Sequence, residues 1–319
     1  CQKKVALEFK KEDIAKPASF DLWLGDHSVE ELEKFLSWNM LYSAWELEGA
    51  SKSGEFESAR KNLLNPTTVE SNEFRSQPVS EELFPILASS DDPGRFLGLY
   101  WLETRFQADP HALRTCLTAL NHSDEPTDFS VKKYEPHWEN LPDWNEYLKL
   151  CRAIWNDLRY FPVATSSDCP DYTVTFENSW QYERTYGGKR RHEGIDIMAS
   201  VNQRGIYPIV SMTDGTIQNL GWLELGGYRI GILAPGGAYF YYAHLDSYAP
   251  LTEGQQVHAG DLLGYMGDTG YSKTEGTTGR FPVHLHLGIY LTVNGREVSV
   301  NSYPALRLTE QWKVNAVYE

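Results

Sequence analysis

The sequence predicts an α+β chain in two parts, with helices first and an antiparallel β domain after them. Three observations predict it. Apolar residues recur at helical spacing up to about residue 160. Beyond Phe161-Pro162 the period shortens to alternation. Glycine becomes frequent in that same stretch, between short alternating runs. Short strands separated by glycine turns indicate an antiparallel sheet. We place the boundary near residue 165, which gives a helical domain over 1–165 and a β domain over 166–319.

The helical half begins with Ser28-Val29-Glu30-Glu31, a capping-box pattern in which a carboxylate follows a hydroxyl by three residues. Leu32, Phe35, Leu36 and Met40 follow at helical spacing. Ser80-Glu81-Glu82-Leu83 opens a second, short helix. Residues 93–106 are rich in Leu, Phe, Tyr and Trp, and residues 109–120 carry Ala, Leu and Cys. Trp144, Tyr147, Leu148, Cys151, Ile154, Trp155 and Leu158 form one apolar stripe over 143–160. Asp109-Pro110 and Pro142-Asp143 suit helix starts. Residues 49–54 and 121–136 read as exposed connections. The aromatic stripes invite comparison with glycan platforms, but at helical spacing they read as core. This half shows a fold and no chemistry.

In the β half, residues 206–212 form a strand candidate. Asp214-Gly215 is a turn signal, followed by a strand over 216–220. Residues 228–233 and 239–244 are two strands joined by Pro235-Gly236-Gly237, and residues 261–266 and 283–293 complete the set.

Composition narrows the function. A chain of 319 residues can build two cores. With 41% hydrophobic and 23% charged residues it is neither a disordered tail nor a membrane bundle. No uninterrupted apolar run approaches the ~20 residues of a membrane helix. A net charge of −15 argues against a general affinity for nucleic acid, which needs a basic field. The four cysteines form no CxxC pair, which argues against a thiolate zinc ribbon. Cys1, followed by Gln2-Lys3-Lys4, fits the lipid-bearing start of a mature bacterial lipoprotein. On that reading the chain works outside the cytoplasm and meets the membrane only through the lipid. Two of Cys116, Cys151 and Cys169 are then free to pair.

Three clusters in the β half can carry chemistry. In Arg191-His192-Glu193-Gly194-Ile195-Asp196, Gly194 and the alternation after it argue against a helix. A loop running into a strand puts His192 in the loop and Asp196 on the strand. In Val283-His284-Leu285-His286-Leu287-Gly288-Ile289-Tyr290, period two places His284, His286, Gly288 and Tyr290 on one face. The leucines and Ile289 face the core. Two imidazoles side by side are costly to bury, and a metal relieves that cost. Gly288 leaves room on the same face. In Tyr241-Tyr242-Ala243-His244-Leu245-Asp246, His244 ends a strand and can reach the same site. Taken singly, each cluster reads as a surface hydrogen bond or an accident of spacing. Together they place four of the nine histidines and one Asp in one domain. His27, His111, His122, His137 and His258 show no such arrangement. Zinc suits an imidazole and carboxylate set that leaves one position open.

These residues resemble a known family, the lysostaphin-type zinc endopeptidases, or glycyl-glycine endopeptidases, of cell-wall hydrolysis. The match runs through His192-Glu193-Gly194-Ile195-Asp196, Tyr242-Ala243-His244-Leu245, the glycine-rich run over 254–270 (GQQVHAGDLLGYMGDTG) and His284-Leu285-His286. It covers roughly residues 175–300. The resemblance implies that His192, Asp196 and His286 are zinc ligands and that His284 is the general base. It implies that His244 bonds the developing oxyanion or holds the water, and that Tyr186 helps stabilise the oxyanion. The segment before His284 is longer than usual in the family and carries Arg280-Phe281-Pro282, and Gly288 stands where Glu is common. That segment is expected to wall the substrate groove.

The expected activity is hydrolysis of an amide bond in the stem peptide or cross-bridge of peptidoglycan. The alternatives are a non-catalytic relative that binds wall peptide or a partner protein, and a zinc hydrolase for small molecules with a closed pocket. The helical half is expected to restrict access to the site or to position the wall strand.

Overall fold

A computed structural model describes residues 5–8, 71–104, 106, 139 and 143–318. The expected capping box at Ser28, the helix over 109–120, the connections over 49–54 and 121–136, and Cys1 and Cys116 lie outside the described residues. So do His27, His111, His122 and His137. The chain divides into two compact units, one within Ala15–Arg152 and the other formed by Ala153–Glu319 with the N-terminal strand. No helix among the described residues is long and apolar enough to cross a membrane.

The first unit is helical. Helix α1 spans Asn72–Arg75, with the Ser71 hydroxyl accepting from the Phe74 N–H at 3.2 Å. A short 3-10 turn over Glu81–Leu83 runs into α2, Phe84–Ser89. Helix α3 spans Pro93–Thr104 and α4 spans Trp144–Trp155. The aromatic stripes are core, as the spacing predicts: Phe74, Trp101, Tyr147 and Trp144 are all buried. Phe74 meets the rings of Trp101, Phe106 and Tyr147 edge-on at 5.9–6.3 Å. Two glycines let α3 and α4 touch. A Cβ on Gly94 would lie 2.5 Å from Arg152 Cα, and one on Gly98 would lie 3.2 Å from Cys151 Sγ. The Tyr147 hydroxyl donates to the Gly98 carbonyl at 2.9 Å, and Arg152 grips both oxygens of Asp92. Cys151 and Cys169 are both free thiols. Cys151 is sealed in the core, and burial pushes its thiol well above the usual range.

The second unit is an antiparallel β domain. Its large sheet runs from β10 (Gln256–Val257) through β7 (Gly215–Leu223), β8 (Gly227–Leu233), β9 (Tyr239–Tyr248), β12 (His284–Val293) and β5 (Gly194–Ala199) to β2 (Val174–Phe176). β11 (Leu262–Met266) joins β9 and β6 (Pro208–Val210). β13 (Arg296–Val300) pairs the far end of β12. β3 (Glu183–Arg184) and β4 (Arg190–Arg191) make a separate ribbon. A short helix, α5 (Tyr303–Thr309), precedes β14 (Asn315–Tyr318), which pairs β1 (Val5–Glu8).

Alternation explains the sheet. Ile195 and Ile197 on β5, Phe240 and Tyr242 on β9, and Leu285, Leu287 and Ile289 on β12 point inward and are fully buried. The residues between them form the opposite, polar face. The strand over Pro208–Val210 is shorter than the alternating run 206–212 that announced it. β13 was missed, although Asn294-Gly295 signals the turn before it. Both residues take left-handed φ, 51° and 74°, which the tight two-residue hairpin turn requires.

The tight contact between α3 and α4 is testable. Gly94→Ala forces a methyl against the Arg152 backbone, and overpacking of this kind costs about 1–3 kcal/mol. The denaturation midpoint, followed by tryptophan fluorescence, should fall accordingly. An unchanged midpoint would show that the helices separate without cost.

Candidate active site

The site begins with strand register. On β12, His286 stands opposite Asp196 of β5, and Gly288 stands opposite Gly194. Both pairs lie on the polar face. Gly194 is required by this approach, because a Cβ there would meet the Leu287 carbonyl oxygen at 2.3 Å and the His286 ring at 2.8 Å. His192 lies between β4 and β5 and is buried. The H-x-G-x-D spacing therefore does work as a loop running into a strand.

His192 Nε2, His286 Nδ1 and Asp196 Oδ1 converge. Each is 3.0 Å from the other two. These are the only such convergent group found among the described residues. His192 Nδ1 lies 3.0 Å from the Ser179 oxygen, which can only accept, and 3.1 Å from Arg184 Nη2, which donates at 2.6 Å to Asp196 Oδ2; the carbonyl is satisfied when Nδ1 carries the proton. Nε2 then faces its two neighbours with a lone pair. Two nitrogens and a carboxylate oxygen facing one point are best satisfied by a cation. The 3.0 Å edges are close to the ~3.3 Å expected around a tetrahedral ion with ~2.0–2.1 Å bonds. The donor set and its spacing fit zinc.

The electrostatics agree. Burial alone would raise the Asp196 carboxyl, but the close imidazoles of His192 and His286 outweigh it and hold the group far below the usual range. Burial lowers His286 and His284. It lowers His244 still further, with the neighbouring imidazoles adding to the effect. The histidines are thus held neutral, the form that ligates metal or accepts a proton.

His284 and His244 flank the triangle. His284 Nε2 lies 3.8 Å from Asp196 Oδ1, and the rings of His284 and His244 are 4.8 Å apart. His284 Nδ1 donates to the Pro282 carbonyl and His244 Nδ1 to the Thr269 carbonyl, each at 2.7 Å. Both therefore carry the Nε2 lone pair. His244 sits at a bulge in β9 with φ +64°. A left-handed non-glycine residue costs about 1–3 kcal/mol. The bond from its N–H to the Gly226 carbonyl at 2.8 Å and the imidazole bond to Thr269 hold it there.

Tyr186 is placed differently from the other expected residues. Its hydroxyl donates to the Tyr271 carbonyl, and its ring stacks on Tyr271 at 4.4 Å. Tyr271 is the tyrosine beside His244, at 5.8 Å. The space expected over Gly288 is also filled, since a Cβ there would meet the Tyr290 ring at 2.6 Å. His258 is exposed and lies 3.6 Å from Asp214, away from these residues.

Sequence reasoning missed two contributors. Arg184 donates to Asp196 Oδ2 at 2.6 Å, leaving Oδ1 for the triangle. Its position on the ribbon just before His192 was the available signal. Phe281 packs on His244 at 4.6 Å and on His284 at 5.0 Å. The long segment containing it was noted, but not this contact. Around the site runs an open groove of about 740 Å³, lined by His192, Asp196, His244 and His286 and by Tyr239, Tyr241, Tyr271 and Tyr290.

Residues 190–300 match the model of peptidase family M23, and residues 58–157 match the LytM N-terminal domain. A crystal structure from Ruminococcus gnavus ATCC 29149, provisionally named a glycyl-glycine endopeptidase LytM, is 50% identical with a TM-score of 0.72. The match covers 82% of this chain and 99% of that one. The L-Ala–D-Glu endopeptidase of Bacillus subtilis is 36% identical over 173 residues, which is 53% of this chain. The chain spans about half the length of that enzyme (50%). Lysostaphin from Staphylococcus simulans is 32% identical over 83 residues, 25% of this chain and 16% of lysostaphin. With its motif residues converging in the sheet and a near full-length relative at half identity, the chain belongs to the M23 peptidases.

Proposed function

We propose that the chain is a zinc endopeptidase that hydrolyses an amide bond in peptidoglycan peptides. The 3.0 Å triangle of His192, Asp196 and His286 beside two neutral imidazoles carries this reading. His192, Asp196 and His286 would hold the ion. When bound, zinc lowers the pKa of a water to about 7 and polarises the scissile carbonyl.

The remaining roles belong to the chain's own groups. His284 Nε2 takes the proton of the attacking water, and its Nδ1–H bond to Pro282 keeps that nitrogen facing the site. Neutral His244 presents the same lone pair, which supports its role as a second acceptor that holds the water. After protonation, the same Nε2 can donate to the oxyanion. The oxyanion role for Tyr186 asks its hydroxyl to leave the Tyr271 carbonyl. Phe281 shields both imidazoles from solvent on one side. Peptidoglycan lies outside the cytoplasmic membrane, so the enzyme is proposed to act there.

The relatives suggest two chemically distinct bonds. Glycyl-glycine carries no side-chain charge. In L-Ala–D-Glu, the glutamyl residue is chain-linked through one carboxyl and keeps the other beside the scissile bond. Digestion of purified peptidoglycan with mass analysis of the fragments tests the reading. Release of peptide-cleaved fragments is expected, and their absence would count against it.

Four substitutions test the assignments. The wild type should bind one zinc per chain, while His286→Ala and Asp196→Ala should lose it on dialysis. Full occupancy in both variants, by metal analysis, would remove these residues from the ligand set. His284→Ala should keep its zinc and lose turnover by ~10²–10⁴-fold, as expected for a general base. Loss of zinc with activity restored by added metal would reverse the roles of His284 and His286. Arg184→Gln should weaken zinc binding by ~10–100-fold, because residues that hold a ligating carboxylate tune its affinity by that amount. Competition with a chromophoric chelator reads this directly, and an unchanged affinity would show that Asp196 needs no help.

A further inference from the structure

We propose that Arg229 forms a carboxylate subsite in the groove, which selects a peptide with a free carboxylate beside the scissile bond. The inference rests on the peptidase reading above and deepens it by choosing between the two bonds.

Arg229 lies on β8 and lines the groove together with His286, His244 and Tyr241. Its backbone is clamped. The N–H donates to the Tyr248 hydroxyl at 2.9 Å, and that hydroxyl donates back to the Arg229 carbonyl at 3.2 Å. The guanidinium has the opposite character. Its Nη1 is shielded from solvent and has no hydrogen-bond partner among the described residues. No carboxylate among the described residues lies within ion-pair distance of it. Its charge is felt instead by the hydroxyls of Tyr239, Tyr241 and Tyr248, whose ionisation it favours against the larger effect of burial.

This sets Arg229 apart from Arg184 and Arg152. With 44 acidic and 29 basic residues, a carboxylate partner is the easy choice for an arginine. Arg184 and Arg152 each have one. A shielded N–H without an acceptor is unfavourable in the free protein. Nη1 itself is out of a ligand's reach, but Arg229 borders the groove, and a guanidinium fork fits the two oxygens of a carboxylate.

The position suits a substrate group next to the reacting bond. Tyr241 lines the same groove, with its ring 6.0 Å from the His286 ring, and its hydroxyl feels the Arg229 charge. A carboxylate on Arg229 would thus lie in the same groove as the metal triangle. The free carboxyl of a D-glutamyl residue at the cut bond meets that requirement, and a glycine bridge does not. A second arginine, Arg190, lines the same groove with its Nε shielded and unpartnered among the described residues. Its Nη2, however, already reaches the Tyr271 hydroxyl at 3.3 Å, so Arg229 is the primary group.

The test uses the zinc-loaded full chain and two peptides, identical except for D-glutamate or its amide after the scissile bond. The wild type should favour the free carboxylate in kcat/KM by roughly 10- to 100-fold, the span of hydrogen bonds to a charged partner. In Arg229→Gln that preference should collapse to within about two-fold. Arg229→Lys should keep part of it, because charge remains without the fork. Equal rates on the two peptides by the wild type would overturn the subsite and leave the peptidase reading intact, and this comparison needs no variant to fold. A preference that survives Arg229→Gln but vanishes in Arg190→Gln would overturn the assignment to Arg229. If neither peptide nor purified peptidoglycan is cut, the peptidase reading falls and the subsite falls with it.

Discussion

The register between β5 and β12 is the constraint on which the site depends. Asp196 faces His286 only because Gly194 faces Gly288 two residues further along. Side chains on a strand alternate, so a slip of one residue would turn the carboxylate or the imidazole into the core. Buried leucines on β12 and isoleucines on β5 prevent that slip. The apolar face thus does the positioning for the polar one. Gly194 adds a second lock, since any side chain there would push the strands apart.

A second rule governs the histidines. His192, His244 and His284 each donate from Nδ1 to a backbone carbonyl, from Ser179, Thr269 and Pro282. Backbone carbonyls do not titrate or rotate freely, so they fix both the ring plane and the tautomer. Each Nε2 is left facing the site. His286 is the exception, pointing Nδ1 inward to Asp196. Burial keeps the rings of His244, His284 and His286 neutral, and Asp196 supplies the one negative charge of the triangle. Arg184 balances it from behind, through the oxygen the triangle does not use. The strain at His244 fits the same scheme. A bulge in β9 turns its imidazole toward its neighbours, and two hydrogen bonds offset the cost of the left-handed backbone.

The groove departs from this economy of paired charges. Around the triangle, acids and bases are matched. At Arg229 and Arg190 they are not among the described residues, although the chain as a whole is strongly acidic. The groove tyrosines Tyr239, Tyr241 and Tyr290 form an aromatic wall with rings 6.2–6.3 Å apart. Such a wall orders a bound chain at little entropic cost, because its side chains are already packed against one another.

The sequence by itself determined the features that depend on local period. The shift from helical to alternating spacing announced the two kinds of structure. The face shared by His284 and His286, and the loop-to-strand placement of His192 and Asp196, follow from the geometry of a few successive residues. The buried aromatic stripes of the helical unit were legible for the same reason. What only the tertiary structure decided depends on segments far apart in the chain. Arg184 on Asp196, Phe281 on both imidazoles, Tyr186 spent on the Tyr271 carbonyl, and Tyr290 filling the space over Gly288 are of this kind. So is the shielding that leaves Arg229 Nη1 without an acceptor among the described residues. No local period encodes these contacts, because each arises where the folded sheet brings separate strands or loops together. The chemistry was therefore readable in the motif, while its tuning and its choice of substrate wait on the packing around it.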